Sequence, residues 1–171
     1  MADSAAIAEV ITDEALAKKL GFSSPLTMFS MFIPNTYEFY WTVTPEDFVE
    51  RMRKEYKRFW TEARDAKRKR SGLSRTEVMT LASIVYEETR KVDEMPRIAG
   101  VYLNRIKQGI PLQADPTVKF AVGDFSLRRI YFKHLEIESP YNTYKNKGFI
   151  YVHCFGAGVE HVCPQQRVLH Q

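Results

Sequence analysis

Ser74-Arg75-Thr76-Glu77 is the segment that most narrows what this chain can become. The S-x-x-E form is a capping box: the serine side chain and the glutamate three residues on satisfy each other's free backbone N–H groups, which starts a helix. Apolar residues at helical spacing follow, and the pattern predicts a helix to about Lys91. A second amphipathic segment runs from Asp93 to Gln108, with Ile98, Val101, Tyr102 and Ile106 on its inner face. Gly109 is its stop signal.

The flanking segments are read the same way. Residues 12–20 predict a short helix, with Thr12 as cap, Asp13 and Glu14 in the first turn and Gly21 at its end. Residues 24–43, SPLTMFSMFIPNTYEFYWTV, are rich in aromatic and β-branched side chains and broken at Pro34-Asn35. They predict two strands, or a strand and an extended arm, around a turn. Thr44-Pro45 opens another helix, which the apolar spacing carries to about residue 62. The basic stretch DAKRKRSG, 65–72, reads as its solvated end and a loop. Pro111 and Pro116 bracket a polar loop, residues 127–135 predict a short amphipathic helix, and SPYNTYKNKG, 139–148, predicts an exposed loop.

Composition bounds the rest. With 171 residues, 44% hydrophobic, the chain can build one domain with a real core. A net charge of +4 suits any polyanion and selects none. A nucleic-acid-binding helical domain would rest on the KRKR run alone. The first residues show no secretion signal, and no stretch is long and apolar enough to span a bilayer. Cys154 and Cys163 fit no common zinc spacing unless His153 and His161 join them; an incidental pair of cysteines is the simpler reading against a Cys/His site of the four, and no metal or other cofactor is expected. Nucleotide loops, metalloprotease motifs and nucleophile elbows are lacking. A cofactor-free acid–base enzyme or a binding module remains.

Placed on a wheel at about 100° per residue, Val78, Leu81, Ala82 and Val85 form the apolar stripe of the capped helix, with Ile84 beside it. Glu87 falls nearly opposite and is expected to be solvated. Glu88 falls on the shoulder, between Leu81 and Ile84. A carboxylate there is costly unless paired, hydrogen-bonded or neutralised. Two readings stay open: a salt bridge to Arg97 or Arg105, or a general acid whose pKa is raised by apolar walls. Asp115 is a second candidate carboxylate, although an Asp before Pro commonly bonds its own backbone.

TLASIVYEET at 80–89, RIAGVYLNRIKQGIPLQADPTV at 97–118, SPYNTY at 139–144 and, upstream, FIPNTYEF at 32–39 resemble the endolytic murein transglycosylase, or YceG-like, family. The similarity covers roughly residues 10–148, with its motifs in family order. It implies a lytic transglycosylase that cleaves the β-1,4 bond between N-acetylmuramic acid and N-acetylglucosamine within glycan strands and leaves 1,6-anhydro ends. The family's catalytic glutamate precedes the threonine closing the first motif, which here is Glu88 before Thr89. Where many members carry an earlier glutamate, this chain has Tyr86. The resemblance also implies peptidoglycan strands as the partner, with cell-wall synthases beside them, and no nucleic acid. It places the full-length family at the extracytoplasmic face of the bacterial inner membrane, held by an N-terminal anchor that precedes a LysM-like module. Neither has a counterpart in this chain.

The expectation is therefore an α+β fold with a single catalytic domain, residues 1–148, in which Glu88 sits on a helix facing a glycan groove. Residues 149–171 form an unmatched tail. Asn104, Gln113, Asp115, Thr117, Tyr141, Asn142 and Tyr144 are the expected sugar-binding groups. The rival expectation is a glycan-binding or scaffold module without catalysis.

Overall fold

Side-chain caps at Asp13, Ser24, Thr44 and Ser74 start four of the helices in the computed structural model, which describes residues 4–124 and 126–149. Contacts divide the chain into two compact units, one up to Arg70 and one from Ser71. Among the described residues every regular element is a helix. The expected α+β fold is thereby overturned.

The first unit holds α1 (Ser4–Ile11), α2 (Glu14–Lys19), α3 (Pro25–Met28) with a 3₁₀ turn (Phe29–Met31), α4 (Pro45–Phe59) and α5 (Glu62–Ser71). Asp13, not Thr12, caps α2, its carboxylate accepting from the Leu16 N–H. The residues expected as strands begin instead with a capping box. Ser24 Oγ accepts from the Thr27 N–H at 3.3 Å, and Thr27 Oγ1 accepts from the Ser24 N–H at 3.0 Å. Pro25 in the first turn completes the helix start. Strand propensity describes how well a side chain packs on a pleated surface, and it yields when tertiary packing offers another solution. Here Met28 and Met31 are fully buried with Ala17, Val49 and Met52, while Phe32 and Phe39 lie against Phe48 at ring separations of 5.9 and 5.3 Å. The Tyr37 hydroxyl donates to the Ile33 carbonyl at 2.6 Å and folds residues 33–37 back on themselves. In α4, Thr44 caps as its sequence predicts, accepting from the Asp47 N–H at 3.1 Å. The basic stretch belongs to α5, a separate helix, where acids in the first turn and Arg68, Lys69 and Arg70 in the last both suit the helix dipole.

The second unit is built on α6 (Arg75–Glu88), with α7 (Met95–Lys107), α8 (Asp115–Val122) and α9 (Phe132–Leu135). The capping box forms as expected: Ser74 Oγ accepts from the Glu77 N–H at 3.2 Å and Glu77 Oε2 from the Ser74 N–H at 2.7 Å. Because α7 and α8 both pack on α6, its buried face is wider than the apolar stripe. Met79, Thr80 and Ser83 are buried with Leu81, Ile84 and Val85, whereas Val78 and Ala82 are only half-buried. Leu73, Met95, Tyr102, Leu112 and Ala114 complete this core. The second half of the loop expected after Pro111 is instead the start of a helix: Pro116 lies in the first turn of α8, where its missing N–H costs nothing, and Gly123 closes the helix at φ 76°. The segment expected as an exposed loop is anchored, with Asn142 and Thr143 fully buried. Expectations for Cys154, Cys163, His153, His161 and the tail from residue 150 fall outside the described residues.

Candidate active site

Glu88 is the last residue of α6, where the helix opens onto a groove of about 470 Å³. Glu87, Glu88, Asp115 and Pro116 line it, together with Lys119 and residues 127–130. As a residue Glu88 is exposed rather than turned into the core. Its carboxyl is nonetheless held above the ordinary glutamate range, chiefly by desolvation, helped by the negative charge of Asp115 and opposed by a hydrogen bond from the Tyr102 hydroxyl. The expected salt bridge is not made. Arg105 instead donates through Nη1 to the Pro111 and Leu112 carbonyls, at 3.0 and 3.1 Å, and to Gln113 Oε1 at 2.7 Å. Arg97 forms no ion pair with Glu88 among the described residues.

Glu87 differs from its expectation. Its side chain is 25% exposed, lines the groove and lies 3.9 Å from Arg90 Nη2. The wheel assumed one buried stripe. With Thr80 and Ser83 buried on either side of the Glu87 direction, that face is also covered.

Tyr102 is the residue whose role the sequence concealed. Its ring belongs to the core between α6 and α7, and its hydroxyl reaches the Glu88 carboxyl. Burial pushes that phenol well above its usual range, and the Glu88 charge adds to the effect. An apolar spacing marks the ring as core but carries no information about where its hydroxyl ends.

The expected sugar-binding residues separate into two groups. Asp115 and Tyr144 reach the groove region together: Tyr144 donates to Asp115 Oδ1 at 2.6 Å across 29 positions of sequence. The Tyr144 phenol is pushed up to about 12 by burial, then by the hydrogen bond and charge of Asp115 and the charge of Glu88. Gln113 is exposed beside them, at φ 56°, with its N–H donated to the Thr143 carbonyl at 3.1 Å. The others are placed for support. Thr117 is fully buried, 2.7 Å from Thr143 Oγ1, which also accepts from the Ala114 N–H at 2.9 Å. Asn142 is fully buried; its Nδ2 donates to the Leu135 and Ile137 carbonyls at 2.8 and 3.0 Å, and its Oδ1 accepts from the Tyr144 N–H at 3.0 Å. Tyr141 packs edge-on against Phe120, at 5.1 Å between ring centres. Asn104 is exposed on α7 and does not line the groove.

Thus the 139–144 segment pins the start of α8 from behind, through Thr143, and fixes Asp115 from the side, through Tyr144. The arrangement presents one carboxyl whose protonated form is favoured more than in an ordinary glutamate, a second carboxyl committed to a phenol, and a groove that both border. No group of three or more His, Cys, Asp or Glu side chains suited to a metal occurs among the described residues. No helix among them is long and apolar enough to cross a membrane.

Residues 2–150 match the model of the YceG-like family. An endolytic murein transglycosylase of Bacillus subtilis is 40% identical over 116 residues, covering 67% of this chain and 32% of that protein. One of Streptococcus pneumoniae is 36% identical over 86 residues, 48% of this chain and 16% of that protein. The chain therefore spans about a third or less of the length of the curated relatives it matches. A crystal structure of a YceG-like protein from Listeria monocytogenes superposes with a TM-score of 0.75 at 25% identity, covering 98% of this chain and 58% of that one.

Proposed function

Since the chain belongs to the YceG-like family, we propose that its second unit carries a lytic transglycosylase site for peptidoglycan strands, with Glu88 as the acid and then the base. The observation that carries this reading is the state of Glu88: a groove-lining carboxyl, pushed up by desolvation, with no cation paired to it among the described residues. A general acid must hold its proton at working pH, and an adjacent ammonium or guanidinium would take that ability away.

The bond cleaved is the β-1,4 link between N-acetylmuramic acid and N-acetylglucosamine. Protonated Glu88 donates to the departing glycosidic oxygen as positive charge develops at C1 of the muramic acid. The carboxylate so formed accepts the proton of the same sugar's C6 hydroxyl, whose oxygen closes on C1 to give the 1,6-anhydro ring. Because the nucleophile is held by the substrate itself, no second carboxylate is needed to position water. Tyr102 steadies the carboxylate between the two steps. Asp115 keeps the Glu88 pKa up by its charge, while Tyr144 holds Asp115 in place.

In this reading the protein works outside the cytoplasmic membrane, where peptidoglycan lies. The test is to incubate it with purified glycan strands and identify the new termini by mass spectrometry. Anhydro-muramic ends support the reading. Reducing ends would make the enzyme a hydrolase, with Asp115 as the candidate second carboxylate. A bound but uncut strand would favour the glycan-binding module.

A further inference from the structure

The groove is divided by charge. Its acids come from the end of α6 and the start of α8; its cations are Lys119, one turn along α8 from Asp115, and Arg128 and Arg129 in the segment before α9. The acids already have other partners: Glu87 has Arg90, Glu88 has Tyr102, and Asp115 has Tyr144. Neither arginine takes part in an ion pair among the described residues, both are exposed, and the contact of Arg129 is the Tyr131 ring, 5.8 Å from its guanidinium carbon. Lys119 acts electrostatically on Asp124 without closing a salt bridge to it.

We propose that Lys119, Arg128 and Arg129 form the subsite for a carboxylate carried on the O3 branch of the muramic acid at the cleavage point. The proposal rests on the reading of the groove as a glycan site and names the part of the strand that this wall selects. Each disaccharide offers one such branch, either the bare lactyl carboxylate or a peptide that bears carboxylates further out. A guanidinium fork matches a carboxylate by two parallel hydrogen bonds, and two adjacent arginines with a lysine suit an anion better than a neutral sugar face. Placement matters as much as charge. The Glu88 shift is set by burial, Tyr102 and Asp115, and a substituent held on the cationic wall leaves those neighbours in place.

The test measures binding to the Glu88→Gln protein, which keeps the groove but cannot turn over. Three strand preparations are compared by calorimetry: peptide-free with lactyl carboxylates, peptide-free with those carboxylates amidated, and peptide-bearing. Carboxylate-bearing strands should bind roughly tenfold more tightly than amidated ones, the loss of one good charge-assisted contact. Arg128→Gln/Arg129→Gln, checked for an unchanged circular dichroism spectrum, should erase the difference, and Lys119→Gln should reduce it. A peptide-bearing strand that outbinds the bare one in an arginine-dependent way identifies the peptide as the carboxylate source; the reverse identifies the lactyl group. Equal affinity for carboxylate and amide strands, or a preference that survives loss of both arginines, overturns the proposal. With Glu88 present, the arginine variant should raise KM and leave kcat within about threefold, as for uniform binding. If the wild-type chain cuts no strand yet shows the carboxylate preference, the transglycosylase reading fails and the subsite stands.

Discussion

Asn142→Ala removes a side chain whose hydrogen-bonding chemistry suggests a sugar contact and that the fold places in the interior. Asn142 is fully buried and satisfies three backbone groups: the Leu135 and Ile137 carbonyls, and the Tyr144 N–H. Alanine strands all three at once. A lost intramolecular hydrogen bond costs about 1 kcal/mol net, and more when the abandoned partner stays buried, so the loss should reach about 3 kcal/mol. Spread over a unit of this size, that lowers Tm by roughly 12 °C or more in a two-state transition. Thermal unfolding followed by circular dichroism measures it, with Asn104→Ala as the exposed comparison, expected to stay within about 0.5 kcal/mol. The Tyr144 N–H is one of the stranded groups, so the support of Asp115 should loosen and activity should fall together with stability. A variant that melted within about 2 °C of the parent but bound glycan poorly would return Asn142 to the substrate and refute the supporting role.

The pH dependence follows from the neighbours of Glu88. Its raised pKa puts the alkaline limb of kcat/KM above that of an ordinary glutamate, with activity present below the limb and lost above it, because the first step needs the proton. Tyr102→Phe removes the hydrogen bond that favours the carboxylate, so the limb should move to higher pH; Asp115→Asn removes a raising charge, so it should move to lower pH. Profiles that shift in the same direction would break the assignment. Thr80→Val should stabilise the chain by about 1 kcal/mol, since the buried Thr80 hydroxyl has no hydrogen-bond partner among the described residues and valine has nearly the same shape; denaturant titration would detect it.

Features confined to one turn of chain are legible where no competing signal stands beside them: the Ser74 capping box and the Thr44 cap form as read. The Asp13 cap, next to Thr12, and the Ser24 capping box, at the head of a strand-prone aromatic run, are just as local and are not legible. The helix wheel brought Glu88 to notice but misjudged both acids, since it assumed one partner where α6 has two and treated the end of a helix like its middle. The predicted strands failed for a related reason: aromatic residues between Phe32 and Phe39 signal burial, and only the packing against Phe48 decides which backbone delivers it. The link from Asp115 to Tyr144 and that from Thr117 to Thr143 join residues 29 and 26 apart, which no local pattern encodes. The basic wall is hidden from the sequence because Arg128 and Arg129 lie ahead of α9, not on the helix that residues 127–135 predict, and because the two prolines hide the start of α8. Had the helix been recognised, the four-residue step from Asp115 to Lys119 would have placed both on one face.

The central claim, that Glu88 carries the proton through both steps, is tested most directly by comparing strand cleavage in Glu88→Gln and Glu87→Gln. Glutamine keeps the shape and a hydrogen-bonding end, so both variants should fold and bind strands. The Glu88 variant can neither donate to the glycosidic oxygen nor accept from the C6 hydroxyl, so anhydro-end formation should fall by more than the ~10²–10⁴ typical of a single general acid–base contact. The Glu87 variant keeps its place in the groove wall, loses a long ion pair to the mostly exposed Arg90 guanidinium, and should keep its rate within about threefold, since a pair held this loosely is worth little. Anhydro ends forming at near wild-type rate from the Glu88→Gln protein would contradict the account.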